Sequence, residues 1–277
     1  DFDVLPVIGS KELVAWLPTF LQSETVLYPK IAYPTYLVGA MLAQSNEIAV
    51  DIDASQWPNA DLAWVNSPAN PTGRVHTEAE LRAVIQWSRK NKAVVISDEC
   101  YLEFGDGVTP TSIFAYSDGD NTNLLAVHSL SKRSSIAGYR AAFMVGDPAL
   151  IAEIREIRKQ AGMMVALPVQ KAMTAALGDD EHVATTRKRY NSRRATLNPA
   201  LEAAGFRIDE SLAGLYIWCT RNEDAWKSVD WLAEIGILAT PGTFYGPDGS
   251  HHIRVAMTAT DNAINDAAGR IMAAIGA

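Results

Sequence analysis

A mostly parallel α/β sheet flanked by helices, followed by a smaller C-terminal α+β unit, is the fold class this sequence predicts. Three observations carry that expectation. Short apolar runs recur through the first half of the chain with amphipathic helical patterns between them, the alternation expected of a sheet with helical crossovers. Three of the runs are followed at once by a polar cluster, as happens where parallel strands deliver their last residues into a crevice at the carboxyl edge. After Gly205 the texture changes to isolated strand-like and helical segments. With 277 residues and 48% hydrophobic content, the chain can bury a large core in one or two domains.

In chain order, the strand-like runs lie at 26–31, 62–65, 93–96, 124–127 and 142–145. The clearest helical pattern spans 77–90. Thr77 is placed to cap it, Glu80 completes a capping box, and Leu81, Val84, Ile85 and Ser88 share one face. Helical texture dominates 148–204. Beyond it, 215–219 and 252–256 read as strands, and 224–235 and 261–275 as helices. Pro241-Gly242-Thr243-Phe244-Tyr245-Gly246 is turn-rich and reads as a loop near the mouth of a site.

The chemistry sits in the polar clusters. His128-Ser129-Leu130-Ser131-Lys132 follows the 124–127 run, and Arg140 lies eight residues beyond the lysine. A lysine in such a crevice can form a Schiff base with an aldehyde cofactor. Hydroxyls and an arginine beside it suit a phosphate dianion. Taken alone, the stretch is equally well a solvated lysine on a polar loop. Asn66-Ser67-Pro68-Ala69-Asn70-Pro71-Thr72-Gly73 follows 62–65 and alone is a Pro-Gly turn. Ser97-Asp98-Glu99-Cys100-Tyr101 follows 93–96. Asp98 alone is more often a strand-end cap, but an aspartate there can also hold a pyridine nitrogen protonated. Asn70 and Tyr101 can each hydrogen-bond a phenolic oxygen.

Together and in this order, Asn70-Pro71-Thr72-Gly73, Asp98-Glu99-Cys100-Tyr101, and Ser129-Leu130-Ser131-Lys132 with Gly138 and Arg140 resemble the class I/II aminotransferases of pyridoxal 5'-phosphate (PLP) fold type I. The resemblance runs the length of the chain. Ile8-Gly9-Ser10-Lys11-Glu12 is similar to the family's first phosphate-binding turn, with Ser10 expected to cap a helix whose free N–H groups face an anion. Ala32-Tyr33-Pro34-Thr35-Tyr36 is similar to the segment that lays an aromatic ring over the cofactor. Tyr33 is the better match and Tyr36 its rival. His252-Ile253-Arg254-Val255-Ala256 is similar to the motif whose arginine fork grips the substrate α-carboxylate. The texture of Gly9-Ser10-Lys11-Glu12, of 32–36 and of 128–140 is most similar to actinobacterial N-succinyldiaminopimelate aminotransferases of lysine biosynthesis.

The resemblance implies a PLP enzyme with Lys132, Asp98 and Tyr101 as catalytic residues. It implies cofactor contacts from Ser10, Lys11, Tyr33, Asn70, Asp98, Tyr101, Ser129, Lys132 and Arg140, and substrate contacts from Arg254 and Asn70. It implies a large domain over 1–185, a linking helix and small domain over 186–277, and a homodimer with shared active sites. Aspartate- or kynurenine-type aminotransferases and C–S β-lyases carry related motifs. So do PLP-binding sensor domains of transcription regulators, which would add an N-terminal helix-turn-helix that this sequence does not show. Family members also carry a substantial segment before the phosphate turn. It contributes part of the small domain and a tyrosine that reaches the partner's phosphate. Asp1-Phe2-Asp3-Val4 opens almost directly on that turn, so either the chain is a fragment or a disordered or removed segment precedes it, and the substrate pocket is expected to be incomplete.

The resemblance implies small-molecule amino and 2-oxo acids as partners, and composition excludes other classes. A net charge of −8 argues against nucleic acid or an anionic membrane as partner. The basic run 187–194 falls in a helical pattern and reads as a solvated face. Cys100 and Cys219 are the only cysteines, which suits a reducing cytoplasm rather than a disulfide framework. Cys100 reads as packing. No apolar run reaches membrane-spanning length. His128, His251 and His252 lack metal-ligand spacing, so no metal is expected. No glycine-rich dinucleotide or ATP motif follows any strand.

Overall fold

The computed structural model describes residues 1–276. Its elements, in chain order, begin with β1 (Asp3–Ile8), α1 (Ser10–Phe20), β2 (Thr25–Pro29), α2 (Thr35–Leu42), β3 (Asn46–Val50), β4 (Leu62–Asn66), α3 (Glu78–Asn91) and β5 (Val94–Asp98). They continue with β6 (Leu124–Ser129), α4 (Leu130–Arg133), β7 (Ala141–Gly146), α5 (Pro148–Gln160), α6 (Leu167–Leu177) and α7 (Glu181–Ala203). The C-terminal part holds β8 (Arg207–Ile208), β9 (Tyr216–Thr220), α8 (Ala225–Glu234), β10 (Thr240–Pro241), β11 (Ile253–Ala256) and α9 (Asp261–Ile275).

The first seven strands form one sheet in the order β1-β7-β6-β5-β4-β2-β3, and only β7 runs against the rest. Period-two alternation explains why its central strands are apolar throughout. Leu62, Trp64 and Ile96 meet α1, α2 and α5 through Leu13, Val14, Leu17, Tyr36, Ile151 and Ile154. Ala63, Val65 and Val95 face the other way, onto Leu81, Val84 and Ile85 of α3. The cap predicted for α3 is present in both halves: the Glu80 N–H donates to the Thr77 hydroxyl at 3.3 Å, and the Thr77 N–H donates to the Glu80 carboxylate at 2.8 Å.

All five strand-like runs became strands of this sheet. Two further strands, β1 and β3, were not anticipated. They are its edges, and an edge strand has no need of a continuous apolar run. The run at 241–246, expected as a loop, contributes the end of β10 and a short 3₁₀ turn.

The second sheet is antiparallel, in the order β10-β11-β9-β8. It buries Ile217, Cys219, Ile253 and Val255 against α7, α8 and α9 through Leu197, Leu201, Leu232, Ile264 and Ile271. The expected division at 185/186 falls inside α7. Among the described residues, no helix is long and apolar enough to cross a membrane.

Register sets up the site. Asn66 lies beside Asp98, and Asp98 beside Val127, so β4, β5 and β6 end in one row at the carboxyl edge. Ile8 lies beside Ala141, so the turn into α1 emerges next to Arg140.

Candidate active site

That row of strand ends opens into a cavity of about 560 Å³. Ser10, Lys11, Tyr33, Asn70, Asp98, Tyr101, Ser129, Lys132, Arg140 and Arg254 all line it, so every site residue singled out in the sequence reaches one space. Asn66, Cys100, Ser131, Ala137 and Tyr216 complete the wall.

At the floor, Asp98 is nearly buried. One carboxylate oxygen accepts the Tyr36 hydroxyl at 2.7 Å, and the other accepts the Cys100 N–H at 3.2 Å. Burial holds the Asp98 carboxyl above the usual range, against the pull of these two donors. No cation lies within ion-pair distance of it among the described residues. A desolvated carboxylate without a cation favours a cationic guest at this point. Tyr36 is fully buried, and its ring stacks on Trp64 at 5.0 Å between centroids. The rivalry between Tyr33 and Tyr36 therefore resolves into two places. Tyr33 lines the cavity, while Tyr36 stands behind it and holds Asp98.

One end of the cavity is built for an anion. Gly9, not Ser10, is the cap of α1, so that expectation is corrected by one residue. Ser10 is the first helical residue, and no side chain occupies the cap's N–H groups. Gly9 has a φ of 76°, and a Cβ there would overlap the Arg140 guanidinium. The missing side chain thus lets a cation close over a helix N-terminus, a combination that favours a phosphate. The Ser129 hydroxyl accepts the Ser131 N–H at 3.2 Å and caps the single turn that carries Lys132.

At the opposite end, Arg254 projects from β11. Its Nη1 donates to Asn70 Oδ1 at 3.1 Å, and its Nε is buried without a partner. Asn70 is itself held by its backbone N–H, which donates to Asn66 Oδ1 at 2.8 Å. Asn66 Nδ2 in turn donates to the Asp98 carbonyl at 2.9 Å. The second sheet is laced onto this framework. The Ser211 and Ala213 N–H groups donate to Thr72 and Gly73, and the Gly214 N–H donates to Phe104. Gly214 therefore serves as a strand-start turn, with a φ of 81°.

Neither His128 nor His252 joins a metal cluster, and no group of three candidate ligands occurs among the described residues. His128 stacks on Phe143, and His252 stacks on Trp218 while its Nε2 lies 2.8 Å from Asp209. Sequence reasoning missed Tyr216, Asn66 and the supporting part of Tyr36. Tyr216 and Tyr36 sit in apolar surroundings that read as packing, and only the order of strand ends pointed at Asn66.

The fold and the cavity together place the chain among the PLP-dependent transferases of fold type I. Residues 3–271 match the family model described as "Aminotransferase class I and II", and the chain belongs to that family. It is 54% identical over 274 residues to a Mycobacterium tuberculosis protein described as "Probable aminotransferase Rv1178", covering 97% of this chain and 66% of the relative. It is 48% identical over 275 residues to the 4-dedimethylamino-4-oxo-anhydrotetracycline transaminase OxyQ of Streptomyces rimosus, covering 97% and 76%. A solved Thermus thermophilus structure, described as a "probable N-succinyldiaminopimelate aminotransferase", superposes with a TM-score of 0.90 at 25% identity, covering 98% of this chain and 78% of that one. The chain thus spans about two thirds to four fifths of the length of these relatives.

Proposed function

We propose that this protein is a PLP-dependent aminotransferase that moves an amino group from glutamate to N-succinyl-2-amino-6-oxopimelate, giving N-succinyldiaminopimelate and 2-oxoglutarate. The observation that carries the reading is the single cavity shared by Lys132, Asp98, Tyr101, Asn70, Arg140 and Arg254. PLP, when bound, supplies an aldehyde that an amine can attack and a ring that draws negative charge from the neighbouring carbon.

The protein's side chains then divide the work. Lys132 would present its amine to the aldehyde, and its Nζ would hold and move a proton at the substrate. Asp98 would hold the pyridine nitrogen protonated, a contact that offsets the carboxylate's desolvation. Asn70 and Tyr101 would hydrogen-bond the phenolic oxygen, and Tyr33 would cover the ring. Arg140, Ser129, Lys11 and the α1 N-terminus at Ser10 hold the phosphate. Arg254, assisted by Asn70, takes the α-carboxylate in a two-pronged contact that a lysine would not reproduce. The same reading makes the working enzyme a cytoplasmic homodimer.

Support for the substrate is the texture of 9–12, 32–36 and 128–140 together with the Thermus structure. The test is a donor and acceptor screen of the complete purified protein. Succinyldiaminopimelate should give the highest specificity constant. A wide preference for aspartate, kynurenine, an aromatic donor or an anhydrotetracycline ketone would overturn the substrate. Failure to transaminate any donor while binding PLP and an amine would favour a sensor.

A further inference from the structure

We infer that Tyr216 is a positioning residue that orients Arg254 through its ring and connects to Tyr101 through its hydroxyl, coupling the carboxylate anchor to the phenolic end of the cofactor site. The inference rests on the aminotransferase reading above. Tyr216 opens β9, which pairs antiparallel with β11. Arg254 is registered against Trp218 and Tyr216 against Ala256, so Tyr216 and Arg254 are diagonal neighbours on one face, within reach for long side chains.

The geometry uses that reach. The Arg254 guanidinium carbon lies 3.9 Å from the centre of the Tyr216 ring and 5.1 Å from that of Tyr245. Two aromatic rings therefore hold the guanidinium by cation–π contact, while Asn70 Oδ1 takes one Nη1 hydrogen. A planar fork grips a carboxylate with two parallel bonds only when its plane is set beforehand. The buried, unpartnered Nε is a donor left free for such a guest.

The hydroxyl of the same tyrosine lies 3.4 Å from the Tyr101 hydroxyl, and the two rings meet edge to face with centroids 6.0 Å apart. Either hydroxyl can donate across this distance; with the Tyr101 hydrogen given to the phenolic oxygen of a bound cofactor, Tyr216 is left to donate to the Tyr101 oxygen, which would make Tyr101 a better donor. Charge on that oxygen is then favoured. A phenylalanine in place of Tyr216 would keep the stacking and lose this link.

Two variants separate the parts. Tyr216→Phe should leave the Michaelis constants of amino and keto substrates within about twofold of wild type. Its kcat should fall about fivefold, and the titration midpoint of the bound cofactor's visible absorption should rise, because a hydrogen bond favouring the charged form is gone. Tyr216→Leu should raise both Michaelis constants about tenfold, since the guanidinium loses a face. A second readout needs no cofactor: calorimetric binding of succinate to PLP-free protein. It should weaken about tenfold in Tyr216→Leu, be lost in Arg254→Lys and be unchanged in Tyr216→Phe. Wild-type kcat and an unmoved absorption midpoint in Tyr216→Phe would overturn the hydroxyl link. Wild-type succinate affinity in Tyr216→Leu would overturn the orienting role. Absence of transamination in the wild type would sink the aminotransferase reading instead, and the succinate arm would still decide the role of the ring.

Discussion

Lys132 and Asp98 line one cavity and carry separate roles in the proposed function, so each can be tested alone. Borohydride reduction of PLP-loaded protein should fix a cofactor-derived mass on the peptide carrying Lys132. Mass mapping to any other lysine would remove Lys132 from its role. Asp98→Asn should retain PLP yet lose nearly all turnover, because a neutral amide cannot balance a protonated pyridine. Turnover within a few-fold of wild type would show that Asp98 is not the ring's partner. Tyr36 acts one step back, through a 2.7 Å hydrogen bond onto the Asp98 carboxylate. Hydrogen bonds to charged groups contribute about 1.5–3 kcal/mol, so Tyr36→Phe should lower kcat roughly 10- to 100-fold if that energy is felt in the transition state. Steady-state kinetics at saturating substrate checks this. The polar members of the site were legible because lysine, aspartate, asparagine and arginine are conspicuous at the ends of apolar runs. Tyr216 was not, and Tyr36 was singled out only as a rival ring and not as the support of Asp98, since an aromatic residue in apolar context looks the same in sequence whether its hydroxyl works or merely packs.

At the scale of elements, a strand end decides how stability responds to pH. Glu99 ends up buried beside Asp98, with Oε1 accepting the Ile113 N–H at 2.9 Å and Oε2 lying 3.4 Å from His128 Nε2. Burial pushes the Glu99 carboxyl from 4.5 up to about 7, and burial pulls His128 from 6.5 down to about 4. Near neutral pH this contact is therefore closer to an acid facing a neutral imidazole than to an ion pair. A carboxyl whose folded pKa is raised contributes stability that is full below pH 4.5 and is lost as pH rises through about 7. At about 1.4 kcal/mol per tenfold in proton affinity, the loss is on the order of 3 kcal/mol. Glu99→Gln should therefore be more stable than wild type at pH 8 and gain little at pH 4.5, as denaturant melts at the two values would show. Equal effects at both would refute it. The central strands β4, β5 and β6 were readable because both their faces are covered. The edges β1 and β3 were not, for want of that cover. At the turn after β1, Gly9→Ala should weaken PLP binding without unfolding the sheet, since the new Cβ meets the Arg140 guanidinium.

For the whole molecule, the two sheets must stay in register for Arg254 to face Lys132 across one cavity. That relation was not legible in the sequence. It depends on contacts between distant segments whose residues look like ordinary surface charges. Arg194, inside the basic run that read as a solvated helix face, is instead buried. It donates from Nη2 to the Gly214 carbonyl at 2.8 Å and from Nη1 to Asp106 at 3.2 Å, tying α7 to the turn before β9 and to the segment after Tyr101. Asp106 is partly exposed and can be rehydrated when its partner is removed, so the ion pair contributes little of the cost. The Gly214 carbonyl has no such escape. Leaving a buried acceptor unpaired costs about 1–3 kcal/mol, and that effect should dominate in Arg194→Ala. The expected result is a loss of stability of that size in denaturant melts, with Asp106→Ala costing less. The damage lies at the start of β9, where Tyr216 stands. Arg194→Ala should therefore raise the Michaelis constants more than it weakens PLP retention, since the anion-binding end of the cavity is built on β1, β6 and β7. A variant that lost cofactor as readily as substrate would show that the two ends of the cavity are not held independently.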